Sequence, residues 1–183
     1  MTLMTVRTRL IQGFTDSPFG RLRLVACDEG LVGLYFPEHR RARQHDAHDA
    51  EHHPVLDSAC RELAEYFAAT RARFDTPLAA APVRAGTEFQ HAVWGALLKI
   101  PFGETRTYAD IARSIGRPSA VRAVGAANAQ NPISILVPCH RVIGGSGALT
   151  GYAGGVETKR WLLSHEGSPR GATSPPNDAR GRS

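Results

Sequence analysis

The spacing of apolar and polar positions changes period along the chain, and each change marks an element. Residues 5–14 read as a strand. Asp16, Ser17, Pro18 and Gly20 supply turn chemistry. Leu22, Leu24 and Ala26 then alternate with Arg21, Arg23 and Val25, the two-residue period of a strand. Asp28, Glu29 and Gly30 form a short turn, and residues 31–36 return as a third strand. Residues 37–54 lose the pattern. They carry Arg40, Arg41, Arg43 and five histidines, and they read as a solvated loop. His45, His48 and His52 have a helical spacing that could hold a metal, but no cysteine accompanies them and charge surrounds them. Residues 56–69 show a helical period with Leu56, Cys60, Leu63 and Phe67 on one face, which makes Cys60 a small core residue. Residues 74–84, rich in Pro and Ala, read as the connection between two parts.

The second part opens on Thr87-Glu88-Phe89-Gln90, a T-x-x-Q capping box. Phe89, Val93, Leu97 and Ile100 follow as an apolar stripe, and Pro101-Phe102-Gly103 stops that helix. Thr107-Tyr108-Ala109-Asp110 can cap a short helix running to Ile115, although Asp is a weaker partner than Glu in such a box. Gly116-Arg117-Pro118 breaks it, and Ser119 can cap another helix reaching Ala129. Two short helices about a tight turn match a helix-turn-helix, as does any helical hairpin. On the second of them Arg122, Ala126 and Ala129 share a face with Gly125 beside them, opposite Val121 and Val124. Such a face suits tight helix packing or close approach to DNA. Residues 133–137 are nearly all apolar and read as buried; residues 156–165 form the last helix, ended by Gly167. Residues 168–183 carry too little apolar surface to pack and read as a disordered tail.

A length of 183 residues accommodates two small domains. The formal net charge of +5 suits a polyanionic partner without requiring one. No stretch approaches the roughly 18 apolar residues of a membrane helix and no signal-peptide pattern occurs, so a cytoplasmic protein is expected. Three cysteines without a CxxC pair argue against both a disulfide framework and a structural zinc site.

The most informative stretch is Pro138-Cys139-His140-Arg141-Val142. A cysteine leaves a buried run directly after a proline, and a histidine and an arginine follow. A thiol becomes a nucleophile when positive charge or a base favours its thiolate. Cys27 and Cys60 have no comparable neighbours. Local sequence alone serves equally well for a core cysteine at a strand end beside a surface histidine.

That stretch, with Ile143-Gly144, resembles the active-site signature of the O6-alkylguanine-DNA alkyltransferases. The resemblance runs from Thr87 to Gly167 through Gly103-Glu104-Thr105, Thr107-Tyr108, Arg122-Ala123-Val124-Gly125, Asn131-Pro132, Tyr152-Ala153-Gly154-Gly155 and His165-Glu166-Gly167. It is weaker in the first part, where Asp16-Ser17-Pro18 and Gly20 carry it. It implies an α+β chain: a small sheet-plus-helix, ribonuclease H-like domain over residues 1–80, then a mainly helical DNA-binding and catalytic domain with a helix-turn-helix over 81–167. The implied reaction flips O6-alkylguanine, with O4-alkylthymine as a further candidate, out of duplex DNA. The alkyl group then passes irreversibly to Cys139 in a single turnover. By the same resemblance His140 draws the thiol proton through a water and Glu166 orients His140. Asn131 braces the active-site segment, and Tyr108 assists the departing guanine. Arg122 fills the gap in the base stack. Tyr152 walls the base pocket, and backbone groups at Cys139, Val142 and Ala153 read the base edge. Ala123, Gly125, Ala126, Ala127 and Arg141 complete the expected DNA-facing set. The implied partner is double-stranded DNA carrying O6-alkylguanine, bound by a monomer with no cofactor and no membrane.

These roles cohere physically. An O6-alkyl group lies inside the base stack, out of a thiolate's reach until the nucleotide is extruded. The thioether product resists water, and no second thiol accompanies Cys139, so one turnover is expected. Zinc-binding relatives hold the ion in the first domain. Here Cys27 matches one ligand position, but Thr8, Val32 and Ala80 stand at the others, so no zinc is expected. Asn128 stands on the second helix where some relatives carry a larger apolar residue. Three alternatives remain: a lesion sensor without chemistry, which the intact Cys139 opposes; a helix-turn-helix transcription factor, which leaves the Cys-His stretch without purpose; and a thiol hydrolase, for which adjacent Cys139 and His140 in an extended chain point apart.

Overall fold

The computed structural model describes residues 8–37, 44–80 and 86–168. Expectations for the start of the first strand, for Arg40, Arg41 and Arg43, for the end of the connection at 81–84 and for the tail from 169 onward lie outside the described residues. The chain divides into two compact units, Met1–His91 with Pro132–Leu136, and Ala92–Asn131 with Val137–Ser183. The first unit therefore extends beyond the expected limit at residue 80 and includes a short segment from late in the chain.

In the first unit β1 (Leu10–Thr15), β2 (Leu22–Cys27) and β3 (Gly30–Tyr35) form an antiparallel meander. A fourth strand, β4 (Ala47–Asp49), pairs parallel to β1, giving the order β3-β2-β1-β4. The solvated-loop expectation is corrected there. Main-chain pairing needs no apolar side chains, and Gln12 Nε2 donates to Asp49 Oδ1 at 2.9 Å across the new pair. His48 thus lies on a strand, so the helical spacing proposed for the histidines does not exist. Among the described residues no group of three or more His, Cys, Asp or Glu is placed to hold a metal.

The expected two-faced alternation of β2 is absent, because every residue of that strand except Arg23 is buried. Helix α1 (Pro54–Phe67) packs across β1, β2 and β3. Val25, Cys27, Val32, Tyr35 and Ala79 form a separate apolar cluster. The supposed connection contributes to that cluster: Leu31 N donates to Pro77 O at 2.8 Å and Ala79 N donates to Leu31 O at 3.0 Å. A Cβ on Gly30 would lie 2.6 Å from Pro77 O, so only glycine lets the two segments approach this closely. Farther along β3, Leu34 N donates to Pro132 O at 2.8 Å, which ties residues 132–136 to this unit.

The apolar face of α1 is Val55, Leu56, Ala59, Leu63 and Tyr66, rotated from the expected one; Cys60 and Phe67 are only half-buried at its margin. Glu62 is buried on the same face. It accepts from Asp75 N at 3.0 Å, Thr76 N at 3.1 Å and Thr76 Oγ1 at 3.0 Å, fixing the turn that follows the helix.

Helix α2 (Glu88–Leu97) starts with the expected box: Gln90 N donates to Thr87 Oγ1 at 3.2 Å and Thr87 N to Gln90 Oε1 at 2.8 Å. The second unit continues with β5 (Arg106–Thr107), α3 (Tyr108–Ser114), α4 (Val121–Ala129), β6 (Val142–Ile143) and α5 (Val156–His165). The weaker Asp box forms in full, with Asp110 N donating to Thr107 Oγ1 at 3.1 Å and Thr107 N to Asp110 Oδ2 at 2.7 Å. Ser119 does not cap α4; Ala120 takes that position without a side-chain bond, and its own N–H closes the preceding turn onto Arg117 O at 2.9 Å. Buried Trp94 on α2 donates to Ala127 O at 2.9 Å and so fixes α4. Strands β5 and β6 pair in parallel, Thr107 against Ile143, which sets the start of α3 beside the chain leaving Cys139.

Candidate active site

Cys139 begins a single 3-10 turn, Cys139–Arg141, not an extended segment. Arg141 N closes the turn on Pro138 O at 3.0 Å. Successive side chains in such a turn lie about a third of a turn apart, so the objection that Cys139 and His140 must face opposite sides does not hold. The turn is gripped from the end of α4. Asn131 Nδ2 donates to Cys139 Sγ at 3.0 Å and to Val137 O at 2.8 Å, and Asn128 Nδ2 donates to Cys139 O at 3.4 Å. Asn128 is buried, so it braces the turn and does not face a groove.

Burial pushes the Cys139 thiol up from its ordinary value, against the opposing pull of the Asn131 amide, the Lys159 charge and nearby main-chain donors. At rest the sulfur carries its proton, and it needs a base.

His140 is fully buried, with Nε2 2.8 Å from Glu166 Oε1. Pairing with a carboxylate places the proton on Nε2, which leaves Nδ1 as an acceptor. Nδ1 is buried and has no hydrogen-bond partner among the described residues. Burial lowers the His140 value, and the Arg141 and Lys159 charges add to that against the pull of Glu166, so the ring is neutral and able to take a proton. Burial would raise the Glu166 carboxyl, but His140 and Arg141 together hold it well below the usual carboxylate range.

Arg141 was expected among the DNA contacts, and the geometry corrects this. Its Nε and Nη2 donate to Glu166 Oε2 and Oε1 at 2.8 and 2.9 Å, and Nη1 donates to Ile100 O at 2.6 Å. A buried carboxylate facing only a neutral imidazole would be costly, and the guanidinium fork neutralises it.

Sequence reasoning missed Lys159. It is fully buried on α5, with Nζ donating to Val142 O at 2.6 Å and Thr150 O at 3.3 Å. Burial pushes its ammonium down to about 8, against the opposing influence of Cys139. The available signal was its helical register with the apolar pair Leu162 and Leu163, three and four residues on.

Tyr108 opens α3, with its hydroxyl 3.1 Å from Thr150 Oγ1. A Cβ on Gly125 would stand 3.9 Å from the Tyr108 ring, so α4 passes beside the phenol. Tyr152 is half-buried and edge-on to the His140 ring, with centroids 6.3 Å apart. Ala153 is half-buried next to it, and Val142 is buried with its carbonyl on Lys159. On α4, Arg122, Ala123 and Ala126 are exposed, while Gly125 and Ala129 are half-buried. Two expectations change on this helix. Val121 is 36% exposed and does not share the inner face with Val124, whereas Ala127 is buried with its carbonyl taken by Trp94 and cannot join a DNA-facing surface.

The constellation gathers a buried thiol, a neutral histidine on an ion-paired carboxylate, and a phenol beside an exposed small-residue helix. Two family models match the chain: the 6-O-methylguanine DNA methyltransferase ribonuclease-like domain over residues 10–80, and the DNA-binding domain of the same family over residues 88–168. A methylated-DNA–protein-cysteine methyltransferase of Methanosarcina acetivorans is 48% identical over 153 residues, covering 84% of this chain and 96% of the relative. One of Mycobacterium tuberculosis is 48% identical over 155 residues, covering 84% and 90%. The crystal structure of Mycobacterium tuberculosis OGT in complex with DNA superposes with a TM-score of 0.76 at 45% identity, covering 86% of this chain and 92% of that one. The chain belongs to the 6-O-methylguanine DNA methyltransferase family.

Proposed function

We propose that the chain acts as a methylated-DNA–protein-cysteine methyltransferase, repairing DNA by moving the alkyl group of a flipped O6-alkylguanine onto Cys139. The observation that carries the reading is the sulfur itself: buried, accepting from Asn131, and followed by a neutral histidine held on Glu166. His140 Nδ1 takes the thiol proton through a bridging water as the sulfur attacks the alkyl carbon. The C–O6 bond breaks, its electron pair stays on guanine, and Tyr108 supplies a proton to the departing base. Glu166 keeps the imidazole in the tautomer that leaves Nδ1 open, and Arg141 keeps Glu166 ionised. Asn131 holds the sulfur in line. Tyr152 and Ala153 border the base, and Val142 lies at its edge. The exposed face of α4, with Ala123, Gly125 and Ala126, enters the groove as the second helix of a helix-turn-helix. Arg122 fills the vacated stack, recovering part of an unstacking cost of a few kcal/mol.

The protein works as a cytoplasmic monomer on double-stranded DNA, without a cofactor, and each molecule reacts once. Among the described residues no helix is long and apolar enough to cross a membrane. The test is incubation with a duplex containing O6-methylguanine followed by intact mass and peptide mapping. One methyl on the Cys139 peptide, with yield capped at the protein concentration, is the expected result. Sustained turnover, or binding of the lesion with no mass gain, would overturn it in favour of a hydrolase or a sensor.

A further inference from the structure

Tyr108 is the proposed proton donor to guanine, and its hydroxyl already has a partner in Thr150 Oγ1 at 3.1 Å. A phenol carries one proton and two acceptor lone pairs. If Tyr108 gave its proton to Thr150, none would remain for the base. The contact serves the reaction only when Thr150 donates and Tyr108 accepts.

Thr150 is held where it can do this. It is exposed, in a stretch that contains Gly144, Gly145, Gly147, Gly151, Gly154 and Gly155 and so has little to fix it from within. Its main-chain carbonyl accepts from Lys159 Nζ at 3.3 Å, and the same ammonium holds Val142 O at 2.6 Å, directly after the Cys139–Arg141 turn. Lys159 is itself fully buried on α5. A single buried cation thus ties the segment carrying Thr150 to the segment carrying the nucleophile, and the Thr150 hydroxyl extends that tie to the phenol.

We infer that Thr150 is a positioning residue for alkyl transfer, its hydroxyl donating to Tyr108 Oη so that the phenol's own proton points at the departing guanine. The inference rests on the reaction proposed above. In that reaction the S–C bond forms as C–O6 breaks, guanine takes the Tyr108 proton, and the thiol proton received by His140 later restores the phenol through solvent. While the phenol oxygen carries negative charge, a donated hydrogen bond from Thr150 is stronger than in the resting state, so it favours the transition state over the ground state.

The experiment measures single-turnover methyl transfer from duplex O6-methylguanine by the full-length protein. If the parent protein does not methylate Cys139, the proposed function fails, not this inference. With an active parent, Thr150→Val keeps the shape without the hydroxyl and should slow transfer about tenfold, the worth of one hydrogen bond. Thr150→Ser restores the hydroxyl and should react within about twofold of the parent. In a Tyr108→Phe background, followed over hours, Thr150→Val should add no further loss, because its partner is gone. A Thr150→Val rate equal to the parent, a Thr150→Ser rate as low as the valine variant, or the same fold-loss with and without the Tyr108 hydroxyl would each overturn the assignment.

Discussion

Cys27 in the sheet unit and Cys139 in the helical unit are withdrawn from solvent to the same degree, at 1% and 2% exposure, yet their sulfurs meet opposite chemistry. Cys27 Sγ lies 3.6 Å from the carbonyl of Gly30, a group that only accepts, so the thiol can serve it only as a donor. Cys139 Sγ lies 3.0 Å from an amide that donates, so the sulfur is the acceptor and its electron pair is already addressed. The two buried glutamates differ in the same way. Glu62 accepts from main-chain N–H groups and a hydroxyl, with Arg71 Nη1 4.0 Å away, and no histidine is among these partners. Glu166 faces a histidine that can change its charge and an arginine that cannot. Burial is common to both units. What separates a site from a core is whether the buried partners can exchange protons.

The sharpest way to break this comparison is to remove each sulfur in turn. Cys139→Ala should abolish methyl transfer altogether while duplex binding persists, since the thiol is not needed for docking. Cys27→Ala should leave transfer per folded molecule unchanged. Mass spectrometry reads both, and methyl found on a Cys27 peptide would invert the assignment.

The glutamates give the next largest effect. Glu166→Gln should slow transfer by about a hundredfold, the scale of losing an oriented general base, and move the pH profile upward, toward the roughly 8.5 of an unassisted thiol, because Cys139 must then ionise without an oriented base. Glu62→Gln should instead destabilise the fold by about 1–3 kcal/mol through mismatched donors, with the transfer rate of folded protein unaltered. Acid denaturation tests the Glu166 pairing directly. Glu166 is held below its unfolded value, so its contribution is present above about pH 4.3 and is lost as pH falls toward the folded value. Glu166→Gln should flatten that acid limb, and equal acid limbs in the parent and the variant would contradict the pairing.

Legibility in the sequence follows the same division. The capping boxes at Thr87 and Thr107 involve bonds three residues apart, and both form as written. Cys139, His140 and Glu166 stood out through motif order, and the structure places His140 on Glu166 directly after the buried sulfur. Three kinds of feature did not. Strand β4 pairs through main chain, and its residues carry no apolar alternation to reveal it. Glu62 and Lys159 are long charged side chains with no local mark of burial, and Arg141, expected at DNA, is buried on Glu166. On α4 the face changed by one position: Val121 turned outward and Ala127 inward, because Trp94, more than thirty residues earlier, fixes the helix through a main-chain carbonyl. Local hydrogen bonding is written locally; the rotation of a helix and the burial of a charge are decided elsewhere in the chain.

A smaller effect tests the exposed face of α4. Arg122 is its one long side chain beside Ala123 and Ala126. Arg122→Ala should slow repair of duplex DNA by about tenfold while leaving reaction with free O6-alkylguanine base nearly unchanged, because a free base has no stack to leave. Equal losses on both substrates would assign Arg122 to the active-site fold.

The smallest expected effect concerns the ammonium that the helical unit buries. Lys159 is pushed down to about 8 in the folded protein, against about 10.4 in an unfolded chain. Below pH 8 both states hold the proton, and the fold carries the full penalty of a buried charge. Between about pH 8 and 10.4 the unfolded chain binds the extra proton, so this group makes stability rise with pH. Cys139 acts in the opposite direction: its raised value favours the folded thiol below about pH 8.5 and that advantage is lost as pH climbs. The two slopes mask each other in the parent protein, so the informative quantity is a difference. Lys159→Met removes the lysine slope and, by taking away a charge that opposes the rise of Cys139, leaves the cysteine slope at least as steep, which adds to the parent's gain. It also gives up the bonds to Val142 O and Thr150 O, a loss that does not depend on pH. Urea unfolding of both proteins at pH 7 and pH 9.5 should show the parent gaining on the variant by on the order of 1 kcal/mol across that interval. A stability difference that stays constant with pH would mean that Lys159 keeps its ordinary proton affinity in the fold, and that the cation beside Cys139 is more solvated than its burial suggests.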